Sequence, residues 1–321
     1  MHGSWMYRIN EILPNRIDVF AWISKIWKEK KIMSKHGAGP SAMAEVIASH
    51  RADESSKPTD ERICHDEYAV HFLSHETLAL LKDPIKLKAF TEQAGPLARG
   101  VGNSMRARTR YFDDFVKELT NEGLEQLVIL GAGYDTRAYR LEGLKNVKVF
   151  ELDPPNTQNF KIEKIKEIFG SIRDNITYVP VDFETQTLNL ELFKEYDSSK
   201  KTLFVMEGLI YYLSPKSVDK ILSFIAENSG KGSTIIFDYF DQCVVDETCE
   251  VGKIFRSYAE LVGETLKFGL KEDIVEEFLL NRGFSDIKNV NSEDYKKAYF
   301  HGKNENRNVC ELVYFAHAMI E

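Results

Sequence analysis

The sequence predicts an α/β fold built on a parallel sheet, and three observations within residues 127–153 predict it. Leu127, Val128, Ile129 and Leu130 form an uninterrupted apolar run, as a strand covered on both faces requires. Gly131 and Gly133 follow as a turn without Cβ atoms, where the backbone can bend sharply and bring its N–H groups close to a ligand. Residues 148–153, KVFELD, read as the next parallel strand, with Asp153 as the acid at its tip. A helix opening at residues 135–139 joins the two strands.

An acid about twenty residues past a glycine turn is where α/β nucleotide sites place a carboxylate that accepts hydrogen bonds from both ribose hydroxyls. G-x-G by itself marks many ordinary turns, and here the flanking strands are what point to a nucleoside. A dinucleotide fingerprint would carry a third glycine where Thr136 stands, and the Asp135 carboxylate would compete with a pyrophosphate for the helix start. Both features, and the lack of a hydride-relay histidine signature, count against a nicotinamide-dinucleotide dehydrogenase. A cofactor without phosphate fits better, and S-adenosylmethionine, made of adenine, ribose and an amino acid, is one.

Bulk properties narrow the partners. The formal charge of −8 lacks the clustered Lys and Arg that a phosphate backbone demands, so no nucleic acid is expected. Cys64, Cys243, Cys249 and Cys310 are scattered without a C-x-x-C pair, which suits reduced thiols and a cytoplasmic location. The apolar stretch at 19–27 is broken by Ser24 and Lys25 and is too short to span a bilayer, so no stable membrane insertion is expected. No cleavable signal is evident.

In chain order, residues 17–32 carry Phe20, Ile23, Ile26 and Trp27 at helical spacing among lysines, predicting an amphipathic basic helix. Residues 41–50 read as a second helix, 53–60 as a polar loop and 70–81 as a third helix. His71 and His75 stand four apart, but without an H-E-x-x-H arrangement they predict no metal. Residues 104–119 read as a helix carrying Arg106, Arg108 and Arg110. A helix at 158–169 leads to a strand at 177–183, and a strand at 201–206 ends at Glu207 and Gly208. Ser214 and Pro215 start a helix that runs to 228. A strand at 233–238 precedes a segment, 241–270, that interrupts the alternation and is expected to fold over the site. A helix at 271–281, stopped by Gly283, and strands at 287–290 and 309–319 complete the chain.

Taken together, VILGAGYDTRAYRL, VFELDPP, VPVDFE and VMEGLIYYL, in that order, resemble the leucine carboxyl methyltransferase and polyketide O-methyltransferase family of S-adenosylmethionine enzymes. RARTRYFDD before the glycine turn, and GETLKFGL and FLLNRGF near the C-terminus, extend the resemblance over most of the chain. It implies a Rossmann-like class I methyltransferase, with a doubly wound, mostly parallel sheet of seven strands and one antiparallel strand near the C-terminus. Residues 1–103 would form an N-terminal helical cap and 104–321 the methyltransferase domain, with 241–270 as its lid.

The same resemblance implies site roles. One arginine of the 104–119 helix clamps the cofactor carboxylate, as a guanidinium does better than an ammonium; Arg108 is the best match and Arg106 the second. The other two arginines would pair with Asp113 or Asp114. Gly131 and Gly133 form the turn, and Asp153 takes the ribose. Asp182 accepts from the adenine amine while the Phe183 N–H donates to a ring nitrogen, although a loop acid capping the next segment would look the same. Glu207 lies beside the cofactor, and Tyr211 or Tyr212 faces the acceptor, with at least one of them plain packing. The acceptor is expected to be a carboxylate or hydroxyl of a small molecule, the alternative being a protein C-terminal carboxylate. With no histidine at a strand tip, the reading leans toward a carboxylate or an acidic hydroxyl, which need no base.

Overall fold

A computed structural model of the chain describes residues 39–253, 255 and 264–320. The basic helix expected at 17–32 lies outside the described residues. The strands are β1 (Gln126–Leu130), β2 (Lys148–Asp153), β3 (Ile176–Pro180), β4 (Thr202–Met206), β5 (Thr234–Phe240), β6 (Phe284–Val290) and β7 (Val313–Ile320). They form one seven-stranded sheet in the order β3-β2-β1-β4-β5-β7-β6. Five strands pair in parallel, and β7 runs antiparallel to both of its neighbours.

Every residue of β1 is buried, as its apolar run required. The two-residue period of the strands sends Leu127, Ile129, Val149, Leu203 and Val205 into one apolar cluster. Val128, Leu130, Phe150, Leu152 and Phe204 enter the cluster on the opposite face. Truncating any of these to alanine would cost about 2–5 kcal/mol. Helix α1 (Ala42–Ser55) is capped by Ser41, whose Oγ accepts from Ala44 N at 3.1 Å. Next come α2 (His75–Leu81), α3 (Pro84–Asn121), the single turn α4 (Arg137–Arg140) and α5 (Pro155–Phe169). The chain continues through α6 (Pro215–Glu227), α7 (Gln242–Val245), α8 (Val275–Leu280) and α9 (Ser292–Tyr299). In α6, Val218, Ile221, Leu222 and Ile225 recur at helical spacing and fill the second apolar cluster.

Several boundaries differ from those expected. The stretch 70–81 is a 3₁₀ turn at Ala69–Phe72 followed by α2, because Ser74 stops the first and caps the second by accepting from Thr77 N. His71 and His75 therefore do not share one helix. The arginine-bearing helix is part of α3, which bends at Gly95, where φ is +81°, and at Pro96, and runs through position 103. β3 stops at Pro180 on the sheet edge, where a residue without an N–H is tolerated. β5 extends to Phe240 because β7 pairs with it along that length. The 271–281 helix is a 3₁₀ turn at Glu272–Ile274 continuing into α8. Of the lid segment, residues 241–253, which include α7, residue 255 and the returning stretch from 264 are described. That stretch docks by Lys267 N and Phe268 N donating to Tyr211 O at 2.7 and 3.3 Å. Among the described residues no helix is long and apolar enough to cross a membrane.

Candidate active site

The strand order reverses between β1 and β4, and the crevice outside the carboxyl ends at such a point is where open α/β sheets bind ligands. A cavity of about 450 Å³ lies there, lined by the tips of β1, β2 and β4, by α1 and by the returning lid segment. It brings Arg108, Gly131, Gly133, Asp153, Asp182, Phe183, Glu207, Tyr211 and Tyr212 together in one space, while Arg106, the second candidate for the clamp, is not among its lining residues.

The glycine turn shapes its floor. Gly131 has φ of +67°, a backbone conformation that favours glycine, and a Cβ there would stand 2.9 Å from Leu209 Cδ1, so the leucine side chain would have to shift. Gly133 donates its N–H to the Asp153 carboxylate, and Ala132 N bonds Leu152 O at 3.0 Å, tying the turn to β2. Asp153 is 7% exposed. Burial pushes its carboxyl up to about 7, against the pull of the Gly133 N–H and of Lys161. Behind it Glu151 and Lys161 form a buried ion pair, and burial pushes Glu151 up to about 6.

The three arginines of α3 have different partners. Arg110 pairs with Asp114 at 2.7 Å on the surface, as expected. Arg106 turns away from the site to α1, meeting Asp53 at 2.7 Å and Glu54 at 2.8 Å instead of Asp113 or Asp114. Arg108 points into the cavity and is buried. Its Nη1 donates to Asp238 at 2.6 Å and to the Tyr211 hydroxyl at 3.1 Å, and its Nε to Glu207 at 3.1 Å. Among the described residues its Nη2 makes no hydrogen bond.

Arg108 ends a ladder of alternating charges. Arg51 meets Asp66 at 2.8 Å, and Asp66 lies 3.9 Å from Arg140. Arg140 grips Asp113 at 2.6 Å, which holds Arg137 at 2.7 Å, which meets Glu207 at 2.6 Å. Asp135 adds a second acid to Arg137 at 2.6 Å. Four guanidiniums (Arg51, Arg108, Arg137, Arg140) thus face five acids (Asp66, Asp113, Asp135, Glu207, Asp238), a balance of one excess acid. Burial opposes charge on Glu207 and Asp135, yet the arginines, Arg137 foremost, hold both carboxyls below their ordinary range. The sequence signal for this ladder was present in D-T-R-A-Y-R, where Arg137 and Arg140 stand three apart and so share a helix face, but their roles were not read.

Thr136, at the third-glycine position, is buried and donates to Asp66 at 2.7 Å. Asp135 accepts from Arg137 N at 2.7 Å, occupying the helix start with a carboxylate. At the β3 end, Asp182 Oδ1 accepts from Glu184 N at 3.0 Å, the loop-capping contact, while Oδ2 takes no bond among the described residues. Phe183 buries its ring in the second apolar cluster, and its N–H has no hydrogen-bond partner among the described residues. Tyr211 is buried, its ring packed on Tyr212 and Phe240 with centroids 4.7 and 4.8 Å away, and burial raises its phenol. Tyr212 is the more open of the two tyrosines.

Residues not singled out also line the cavity, chiefly Ser41, Arg51, Thr157, Glu264 and Lys267. Glu264 sits in the GETLKFGL motif and accepts from Ser41 Oγ at 3.3 Å, joining the lid segment to the cap of α1. Nothing in its spacing links it to the glycine turn, more than a hundred residues earlier, so only folding reveals it. Among the described residues there is no group of three or more His, Cys, Asp or Glu able to hold a metal.

Comparison with known proteins agrees with this geometry. Residues 44–226 match the family model for leucine carboxyl methyltransferase. The chain is 29% identical over 270 residues to a Mycobacteroides abscessus protein assigned by name to the S-adenosyl-L-methionine-dependent methyltransferases, covering 80% of this chain and 87% of that one. YktD of Bacillus subtilis, named in the same way, is 30% identical over 220 residues, 66% of this chain and 71% of its own. In fold, the chain is similar to the crystal structure of a Thermobifida fusca protein assigned by name to the methyltransferases, with a TM-score of 0.58 at 14% identity over 88% and 96% of the two chains.

Proposed function

The chain belongs to the leucine carboxyl methyltransferase family, and from that premise we propose that it methylates an oxygen, carboxylate or hydroxyl, of a small-molecule acceptor. As a member of that family it is an S-adenosylmethionine-dependent methyltransferase.

The residues present fit the cofactor. Among the described residues two donors stand without hydrogen-bond partners along the strand ends, Arg108 Nη2 beside β4 and the Phe183 N–H beyond β3, with the Asp153 carboxylate between them. This arrangement carries the reading: a donor for an amino-acid carboxylate, an acceptor for ribose hydroxyls, and a donor with the open Asp182 Oδ2 for adenine. When bound, the cofactor supplies a methyl group already activated on a cationic sulfur. The excess acid of the ladder, with Glu207 at the cavity wall, suits that positive charge. The glycine turn, with no side chain in the way, lets the backbone approach closely. The protein's remaining task is to hold the acceptor oxygen in line and exclude water, which positioning alone can make worth about 7–11 kcal/mol.

A small acceptor is favoured by the space. A cavity of about 450 Å³ must house cofactor and reacting group together, and Ala44 and Ile47 of α1 roof it. We place the enzyme in the reducing cytoplasm, which its four free thiols suit. The test is a tritiated-methyl transfer screen against small acids, phenols and peptides with free C-termini. Transfer to small molecules is expected; transfer to the peptides alone would replace this reading with protein carboxyl methylation.

A further inference from the structure

Glu264 is unlike the other carboxylates of the cavity. Asp135 and Glu207 are held by arginines, Asp153 by the Gly133 N–H, Asp182 by the Glu184 N–H, and Glu184 by Lys267 at 3.1 Å and Ser214 N at 2.7 Å. Glu264 has the Ser41 Oγ contact at 3.3 Å and, among the described residues, neither a cation nor a backbone donor. Among the described residues its Oε2 takes no hydrogen bond, and the side chain lines the cavity.

We propose that Glu264 is the general base of the reaction, taking the proton from a hydroxyl acceptor, so that the acceptor class is a phenol or alcohol and not a carboxylate. This rests on the methyltransferase reading and narrows it. In the step, the acceptor oxygen forms its bond to the methyl carbon as the carbon–sulfur bond breaks. The electron pair of that broken bond stays on sulfur and discharges it, and the hydroxyl proton passes to a Glu264 oxygen and from there to solvent. A carboxylate acceptor has no proton to lose and would give Glu264 nothing to accept.

The charged and titratable surroundings suit this role. Asp153 faces Glu264 from the tip of β2 and Tyr212 from the turn after β4. On α1, Arg51 is taken by Asp66 and by Tyr134 O at 2.6 Å, and on the lid segment Lys267 is taken by Glu184. Burial pushes the Glu264 carboxyl up to about 7, with the Ser41 hydroxyl pulling the other way. A base with that affinity for protons is half ionised near neutrality and strong enough to assist a hydroxyl.

Glu264→Gln keeps an oxygen for Ser41 and removes the base. The full-length protein and this variant would be assayed at saturating S-adenosylmethionine with 4-methylphenol and other simple phenols and alcohols, benzoate, and a peptide with a free C-terminus. Calorimetry would give the binding of S-adenosylhomocysteine, and of 4-methylphenol to that complex. Expected are phenol or alcohol methylation whose kcat rises through about pH 7, a loss of about a hundred- to ten-thousandfold in kcat with that limb absent in the variant, and 4-methylphenol binding weakened about tenfold. S-adenosylhomocysteine binding should change less than about twofold. Asp153, titrating in the same range, acts on the cofactor and would appear in its KM. A variant with full kcat makes Glu264 a structural latch, and one that loses only S-adenosylhomocysteine affinity makes it a cofactor contact; either overturns the proposal. Transfer to benzoate or peptide alone overturns it while leaving methyl transfer standing. No transfer to any of these acceptors, with S-adenosylhomocysteine still bound, overturns this inference and the small oxygen acceptor it rests on, while leaving the cofactor site standing.

Discussion

Gly133 donates its backbone N–H to the carboxylate of Asp153, twenty residues further along, so the glycine turn and the acid at the tip of β2 are held as one unit. The acid is thereby oriented before any ligand arrives, although burial holds its carboxyl up at about 7.

That pairing sets the sign of a pH effect. An acid whose folded pKa lies above its unfolded value of about 3.9 resists ionisation in the folded state, so the stability it contributes below about pH 4 is lost as pH rises through 7. Asp153→Asn removes the penalty. The melting temperature of the variant relative to the parent should be more favourable at pH 8 than at pH 4.5, while S-adenosylhomocysteine binding weakens about ten- to a hundredfold. Equal shifts at both pH values would mean that Asp153 is not held neutral.

Arg108→Lys keeps the charge and loses the planar fork. Calorimetry should show S-adenosylhomocysteine bound at least about tenfold more weakly. Arg106→Lys should leave binding alone, because Arg106 spends its donors on Asp53 and Glu54. The reverse pattern would move the carboxylate clamp to Arg106.

Gly131→Ala puts a Cβ at a left-handed position and against Leu209. A loss of about 1–2 kcal/mol is expected from the backbone term, with more from the contact, measured as a urea midpoint. Adding Leu209→Ala should relieve the contact and leave the backbone term; a single variant as stable as the parent would contradict the geometry.

Glu54 is fully buried, with Arg307 at 2.7 Å, Arg106 at 2.8 Å and Lys57 at 2.7 Å. Burial opposes its charge, but these cations, Arg307 first, hold the carboxyl down at about 2. A depressed folded pKa contributes stability above the unfolded value, near 4.3, that disappears as pH falls through 2. Arg307→Ala should therefore cost about 3 kcal/mol at pH 7, and the gap to the parent should narrow at pH 3. A gap independent of pH would show that Arg307 acts by packing alone.

Local chemistry made much of this molecule legible. The apolar run at β1, the glycine turn and the acid of β2 each announced their place because strand burial and turn conformation are dictated within a few residues. The α3 arginine that lines the cavity was readable to within one helical turn, and its separation from Arg106 needed the position of α1, which no spacing along α3 encodes. Ser74 divided a stretch that periodicity read as continuous, since a side-chain cap competes with helix propagation through one hydroxyl. The i, i+3 spacing of Arg137 and Arg140 was visible in the chain, but the acids they meet, like the surroundings of Glu264, come from segments far apart in it, and a charged residue in a sequence looks the same whether it will face water or a cavity.

The ladder from Arg51 to Asp238 also limits how the enzyme can be re-engineered. Each interior rung touches two neighbours, so replacing a single guanidinium or acid removes one of the two partners of both neighbours at once, and losing Arg137 leaves Asp135 with no cation in the ladder. Variants intended to admit a bulkier acceptor will therefore be tolerated at the apolar roof, Ala44 and Ile47, far better than along the polar wall. There, only matched exchanges of adjacent rungs preserve the charge balance, and a library that varies one position at a time would discard the workable solutions along with the broken ones.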